Sequence, residues 1–221
     1  MVPDRWQARA AVVAGLVLYM LLPPKLTFGP VWAAPTLIAL FLVPLVALKP
    51  SHFANGRVTR VLSVCLIAAL NVLNVISIGL LVSDLVRSAH GAHVPVSAID
   101  LLRNGALIWM TNIIVFALWY WELDSDGPLG RMRYHCAMDF NEPDFLFPQM
   151  QMDPKRLKGY DGAWKPYFVD YLYLSFTNAL AVSPTDTMPL SRWAKMLMLL
   201  ESLISFVTVA LILARSVNIL S

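Results

Sequence analysis

Residues 61–83 read VLSVCLIAALNVLNVISIGLLVS, 23 positions without a charge between Arg60 and Asp84. As an α-helix rising 1.5 Å per residue, such a run is about 35 Å long, enough to cross a hydrocarbon core about 30 Å thick. The run predicts a membrane-spanning helix, and the rest of the chain repeats the pattern. There are 23 uncharged residues between Lys25 and Lys49, and 18 between Arg103 and Glu122. Nineteen residues separate Lys195 from Arg215, with Glu201 the single charge among them. The first apolar segment, residues 10–22, is 13 residues long, a short crossing or one arm of a bent hairpin. Pro30, Pro35 and Pro44 predict a late start and a kink in the second run.

Composition agrees with this class. Of 221 residues, 58% are hydrophobic and 14% charged, with a mean hydropathy of +0.63. A soluble domain carries about 25% charged residues. Residues 122–170 hold 9 of the 14 acidic and 6 of the 17 basic residues, which leaves the remainder almost charge-free over long stretches. Arg5 and Arg9 before residues 10–22 imitate a signal peptide. The following apolar run and the missing A-x-A pattern favour an uncleaved span. Cys65 and Cys136 are too few for a disulfide framework. A net charge of +3 with no basic tract leaves no footprint for nucleic acid.

The chain divides into a membrane region at 1–123, a polar loop at 124–166 and a last membrane segment at 167–221. The loop is dense in turn chemistry: Asp126-Gly127-Pro128, Asn141-Glu142-Pro143, Asp153-Pro154 and Asp161-Gly162. Its Phe145-Leu146-Phe147-Pro148 patch is suited to resting on the membrane or on neighbouring helices. Trp119, Tyr120 and Trp121, and then Trp164, Tyr167, Tyr171 and Tyr173, read as aromatic belts at headgroup depth.

Catalytic and metal constellations are weak. His90 and His93, and His135 with Cys136, are ligand pairs that nothing in the sequence brings together. Asp139, Glu142 and Asp144 lack the alternating spacing and turn glycine of a calcium loop. No nucleophile elbow, phosphate loop or dinucleotide glycine pattern occurs, so the chain is not expected to be an enzyme or to carry a cofactor or metal.

Polar residues inside the spans carry more information. Asn71, Asn74 and Ser77 follow three-residue steps along one side of their helix, as interhelical hydrogen bonding requires. Glu201, Ser205 and Thr208 share a helix face at i, i+4 and i+7. A carboxyl group there must face water, a partner or the bundle interior. Glu201 is accordingly either a functional intramembrane ionisable group or a structural hydrogen-bond acceptor.

Residues 171–189, YLYLSFTNALAVSPTDTMP, followed by a long apolar helix, resemble the pore helix, filter and inner helix of the two-helix pore module of potassium channels. The family's T-V-G-Y-G-D-x-x-P falls in register with 181–189, where Val182, Asp186 and Pro189 match and Ser175-Phe176-Thr177 takes the hydroxyl-rich turn. The Ser-Phe-Thr and Asp-Thr wording also resembles that of a group of bacterial integral membrane proteins of uncharacterised role. Ser183 and Thr185 replace the filter glycines, with Pro184 between them, so the resemblance does not extend to potassium selectivity. It implies a re-entrant turn whose Asp186, with Ser183, Thr185 and Thr187, rings a central axis in a tetramer.

The expected fold is an all-α polytopic membrane bundle of about five crossings, with a re-entrant segment before the last helix. The expected role is channel-like or transport, with an inorganic cation meeting Asp186, Glu201, Ser205 or Thr208 in a homo-oligomer within a bacterial cytoplasmic membrane. The alternative is a non-conducting scaffold that keeps the pore-module fold and binds a partner through its loop. Ser191, immediately before Arg192, is the expected cap of the last helix.

Overall fold

The computed structural model describes residues 5–30, six positions between 32 and 40, and residues 53–89, 97–133, 143–153, 164–181 and 186–220. The elements are α1 (Arg5–Met20), α2 (Phe53–Ala89), α3 (Ala98–Leu123), α4 (Gly127–Arg133), β1 (Phe145–Leu146), α5 (Phe168–Ala181), β2 (Met188–Pro189) and α6 (Arg192–Leu220). The protein is a mostly helical bundle. Among the described residues, three helices are long and apolar enough to cross a membrane: Val58–Arg87, Ile99–Asp126 and Arg192–Leu213. Helix α1 is apolar but shorter. The predicted second span and its kink at Pro44 lie outside the described residues.

Helix α3 is the centre. Helices α1, α2, α5 and α6 all pack on it, and it is the most buried of the three long helices. Its start is set by Ser97, whose Oγ accepts the Ile99 amide at 3.2 Å, with Asp100 in the first turn. Helix α6 begins as its sequence predicts, with Ser191 Oγ accepting the Ala194 amide at 3.1 Å. Helix α5 starts where Asp170 Oδ2 accepts the Tyr167 amide at 2.7 Å. Burial raises the Asp170 carboxyl from its ordinary value, and that amide bond opposes the rise.

Outward faces are apolar. On α6, Trp193, Met196, Leu199, Leu203, Phe206 and Leu213 are exposed, as a lipid-facing stripe requires. The inward face of the same helix carries Ala194, Glu201, Ser205, Thr208 and Ile212, all buried. Opposite Ile212, α3 places Gly105, where an added Cβ would overlap the Ile212 side chain. A small residue lets the two helices approach closely there.

One end of the bundle gathers most of the charge. The start of α2 meets the end of α3 through Arg60 Nη1 and Asp126 Oδ1, 3.0 Å apart. The start of α5 meets the same end through Trp121 and Phe168, with ring centroids 6.0 Å apart. The β1–β2 ladder, pairing Phe145 with Pro189 and Leu146 with Met188, lies against this end. At its edge the Leu190 amide donates to the Asp144 carbonyl at 2.8 Å.

The aromatic clusters depart in part from the expectation of headgroup belts. Tyr120, Trp121, Trp164 and Tyr171 are buried, while Tyr167 and Tyr173 are exposed. Trp121 packs edge-on to Tyr171 at 5.7 Å, and Phe147 edge-on to Tyr171 at 5.3 Å. The rings form the core beneath the charged end because partners inside the protein, not headgroups, take up the polar edges of both tyrosines. The Phe145–Pro148 patch rests on neighbouring helices, with Phe145 and Phe147 buried.

Candidate functional site

Glu201 lies 9 residues into α6, about 14 Å from the start of a helix that is apolar on its outer face. It is 0% exposed. Tyr120 Oη from α3 donates to its Oε2 at 2.5 Å, and Asn178 Nδ2 from α5 donates to the same oxygen at 2.6 Å. Oε1 meets Ser175 Oγ of α5. Among the described residues, no cation comes within ion-pair distance of Glu201.

The fourth partner lies one step away. Ser175 Oγ is also 2.7 Å from the Ile113 carbonyl of α3. A hydroxyl carries one hydrogen and serves one of these two acceptors at a time. With that hydrogen on Glu201, the carboxylate accepts three hydrogen bonds. With it turned to Ile113, the Ser175 lone pairs face Oε1, and a protonated Glu201 donates to them. The same heavy-atom positions therefore satisfy both the carboxylate and the neutral acid.

The polar line continues in both directions. Asn178 Nδ2 also reaches the Met198 carbonyl at 3.0 Å, and Asn178 Oδ1 accepts Ser202 Oγ at 3.1 Å. One turn deeper on α6, Ser205 Oγ accepts Asn112 Nδ2 at 3.1 Å, and Asn112 Oδ1 accepts Asn74 Nδ2 at 3.3 Å. This ties α6, α3 and α2 together through side chains in the interior. Thr208 Oγ1 turns back to the Ile204 carbonyl at 2.7 Å, and Ser77 Oγ to the Leu73 carbonyl at 3.1 Å.

A second polar centre sits at the charged end. Asp124 is fully buried. Its Oδ2 accepts Tyr171 Oη at 2.5 Å, and its Oδ1 accepts the amides of Asp144 and Phe145 at 2.9 and 3.3 Å. Arg131 Nη1 lies 3.8 Å from Oδ2 and donates to the Asp124 carbonyl at 2.7 Å. Its guanidinium stacks over Trp121, 4.5 Å from the ring centre, and near Tyr171 at 5.3 Å. The backbone bends sharply to build this centre: Ser125, Asp126 and Gly127 all have positive φ, at 51°, 61° and 81°. For Ser125 and Asp126 this costs about 1–2 kcal/mol each. At Gly127 an added Cβ would stand 2.8 Å from the Glu122 carbonyl, so glycine is required there.

Phe145 separates the two centres. Its ring is 5.0 Å from Tyr120 on one side and 6.5 Å from Tyr171 on the other. One buried aromatic side chain from the loop thus packs on the tyrosine of each centre.

Of the residues singled out in the sequence, the structure brings Glu201 and Ser205 into one interior line, with Thr208 buried beside them. Asp186 is exposed at the charged end, and its neighbour Thr187 is buried. Ser183 and Thr185 lie outside the described residues, as do both histidine pairs, Asp139 and Glu142. Sequence reasoning missed Tyr120, Asn112, Ser175 and Asn178 as partners of the α6 face, and the whole Asp124–Arg131–Tyr171 centre. Asn112 inside a charge-free run, and Ser175 with Asn178 at i and i+3, were the available signals.

No protein family, curated protein or solved structure matches this chain.

Proposed function

We propose that this chain is a polytopic membrane protein with a channel-like or transport role, moving a small cation, the proton foremost, through the polar centre at Glu201. The observation that carries the reading is the Ser175 hydroxyl between Glu201 Oε1 and the Ile113 carbonyl. Its rotation lets the centre take up or release a proton without moving a heavy atom. A pre-arranged site of this kind avoids the reorganisation that an intramembrane charge otherwise demands. Asn112 and Ser205 extend the line away from the charged end, Asp124 and Tyr171 toward it, and Phe145 stands as the gate between.

The topology that fits this role has five crossings: α1, the apolar run between Lys25 and Lys49, α2, α3 and α6. Helices α1 and α2 both start at the charged end, as the lining of one cleft by Arg9 and Arg60 requires, so the chain between them returns there. Helix α5, 14 residues and about 21 Å long, is re-entrant. Trp164 before it packs on Phe147, and Met188–Pro189 after it pairs with Phe145–Leu146. The charged end holds Arg9, Arg60, Arg131, Arg192 and Lys195 and is the cytoplasmic side by the positive-inside rule. The path lies between helices of one protomer, so it does not depend on the tetramer axis that the potassium-channel resemblance implies. Asp186 then serves as a charge at the mouth.

A second reading, a non-conducting membrane scaffold that binds a partner through residues 124–166, is favoured by one observation. Both Glu201 oxygens are hydrogen-bonded within a single protomer, which is what helix-to-helix glue requires. Proteoliposomes carrying an internal pH dye separate the two. Transport predicts dissipation of an imposed pH gradient by the native protein and its loss in Glu201→Gln. Flux no faster than in empty liposomes for both proteins leaves the scaffold.

A further inference from the structure

Between α1, α2 and the C-terminal end of α3 lies an open cleft, one wall of which is Trp121, the ring over which Arg131 stacks. Its floor is apolar, made by Val12, Leu66, Ile67 and Leu118. Its mouth carries four charged side chains, Arg9 and Arg60 against Glu122 and Asp126. Charge and apolarity are separated along the helix axes. Leu66 and Ile67 are six and seven positions along α2 from Arg60, about 9–11 Å deeper at 1.5 Å per residue. Val12 is about one turn deeper than Arg9 on α1, and Leu118 about one turn deeper than Glu122 on α3. In a bilayer crossed by α2 and α3, whose candidate spans begin at Val58 and end at Asp126, the mouth lies at headgroup depth and the floor in the hydrocarbon.

We propose that this cleft is a binding site for one aminophospholipid, a zwitterionic lipid whose headgroup carries both a phosphate and a primary ammonium. The acyl chain lies on Val12, Leu66, Ile67 and Leu118. The phosphate meets the guanidiniums of Arg9 and Arg60, whose planar donors match its oxygens. The ammonium meets the carboxylates of Glu122 and Asp126. Two positive and two negative groups around one mouth sum to zero, so a purely anionic headgroup gains nothing net there, while a zwitterion complements both pairs. A quaternary choline headgroup has no N–H with which to bond the carboxylates. Arg60 and Asp126, 3.0 Å apart with side chains 39% and 54% exposed, close the mouth in the lipid's absence and part to bind it.

This inference is independent of the transport reading and requires only that the bundle sits in a bilayer. Detergent-solubilised full-length protein is equilibrated with equimolar phosphatidylethanolamine, phosphatidylglycerol and phosphatidylcholine, and retained lipid is counted by native mass spectrometry. One phosphatidylethanolamine per chain is expected, favoured about tenfold over either competitor, the factor that 1.4 kcal/mol confers. Arg60→Gln should abolish the preference, and Arg103→Gln, at the opposite end of α3, should leave it intact. Ser63→Trp, which fills the mouth without changing its charge, should displace the lipid and guards against misfolding of the arginine variant. Equal retention of the three lipids, preference for phosphatidylglycerol, or a preference that survives both Arg60→Gln and Ser63→Trp overturns the assignment.

Discussion

Tyr120 Oη lies 2.5 Å from Glu201 Oε2 and joins α3 to α6 across 81 positions of sequence. The ring is held independently of that bond, 6.3 Å from Phe116 and 5.0 Å from Phe145. Tyr120→Phe therefore removes one donor and little packing. Leaving Glu201 Oε2 with Asn178 alone should cost about 1–3 kcal/mol, the range for stripping a partner from a buried polar group. Thermal unfolding in detergent measures it. Ser175→Ala should cost a similar amount, but it also removes the rotating hydroxyl. Under the transport reading it slows proton flux far more than Tyr120→Phe does. Equal flux in the two variants would exclude Ser175 as the relay.

Asp124 and Arg131 form an ion pair with both partners largely removed from solvent, with side chains 0% and 14% exposed. Replacing either alone leaves a buried charge without its counter-ion, a loss of about 3–5 kcal/mol. Asp124→Asn should show it, because the amide keeps the shape but meets the Asp144 and Phe145 amides and Arg131 with a weaker acceptor. Arg131→Met retains the stem that covers Trp121 and removes the charge. A double-mutant cycle on these two should return a coupling of about 1 kcal/mol or more. Additive losses would mean that the aromatic stacking of Arg131 and its bonds to the Asp124 and Trp121 carbonyls, and not its pairing with the Asp124 carboxylate, hold the bend at Ser125.

The charge-free runs made α2, α3 and α6 legible, because a membrane span is written in local composition and needs no knowledge of its neighbours. The face of α6 bearing Glu201, Ser205 and Thr208 was legible for the same reason, since helical periodicity places those residues together whatever packs against them. Its partners were not. Tyr120 stood between two tryptophans and looked like an interface ring, and only the tertiary fold turns its hydroxyl toward Glu201. Asp124 looked like one more loop acid beside Asp126-Gly127. Its burial depends on β1 returning its amides to the end of α3, a contact about 20 residues away along a segment with no periodic pattern. Asp186 drew attention through a resemblance in register, yet it is exposed, and the acids buried among the described residues are Glu122, Asp124 and Glu201.

Phe145 is the side chain between the two polar centres. Phe145→Ala should destabilise the protein by about 3–5 kcal/mol, since a buried ring leaves a cavity. Phe145→Leu keeps an apolar plug but no longer spans the gap between Tyr120 and Tyr171. If the gate reading holds, Phe145→Leu speeds proton flux in proteoliposomes relative to the native protein. Unchanged or slower flux in a stably folded Phe145→Leu protein would assign Phe145 to the core alone.

Gly105 and Ile212 set the spacing of α3 and α6. Gly105→Leu forces a side chain into the space that Ile212 fills and should cost about 1–3 kcal/mol by overpacking. Ile212→Ala empties the same space from the other side. The pair Gly105→Leu with Ile212→Ala should recover stability beyond the sum of the single losses, read as a thermal midpoint above additivity. Additive behaviour would show that the two helices do not meet at this point in the membrane.

Topology supplies the last test. If α5 is re-entrant, the residues before and after it share one face of the membrane. Lys165 is exposed just before α5, and Ser191 follows β2 at the cap of α6. The β1–β2 ladder and the Leu190 amide on the Asp144 carbonyl hold the chain after α5 at the end from which α5 departs. Cys65 is exposed, so single cysteines at Lys165 and Ser191 must be introduced in a protein lacking Cys65 and Cys136. A membrane-impermeant thiol reagent should label both from the same side, and a cysteine at Lys25 from the other. Labelling of 165 and 191 from opposite sides would make α5 a sixth crossing. That would break the ladder between Phe145 and Pro189 and remove Asn178 from the depth of Glu201, so the arrangement of the polar centre stands or falls with this experiment.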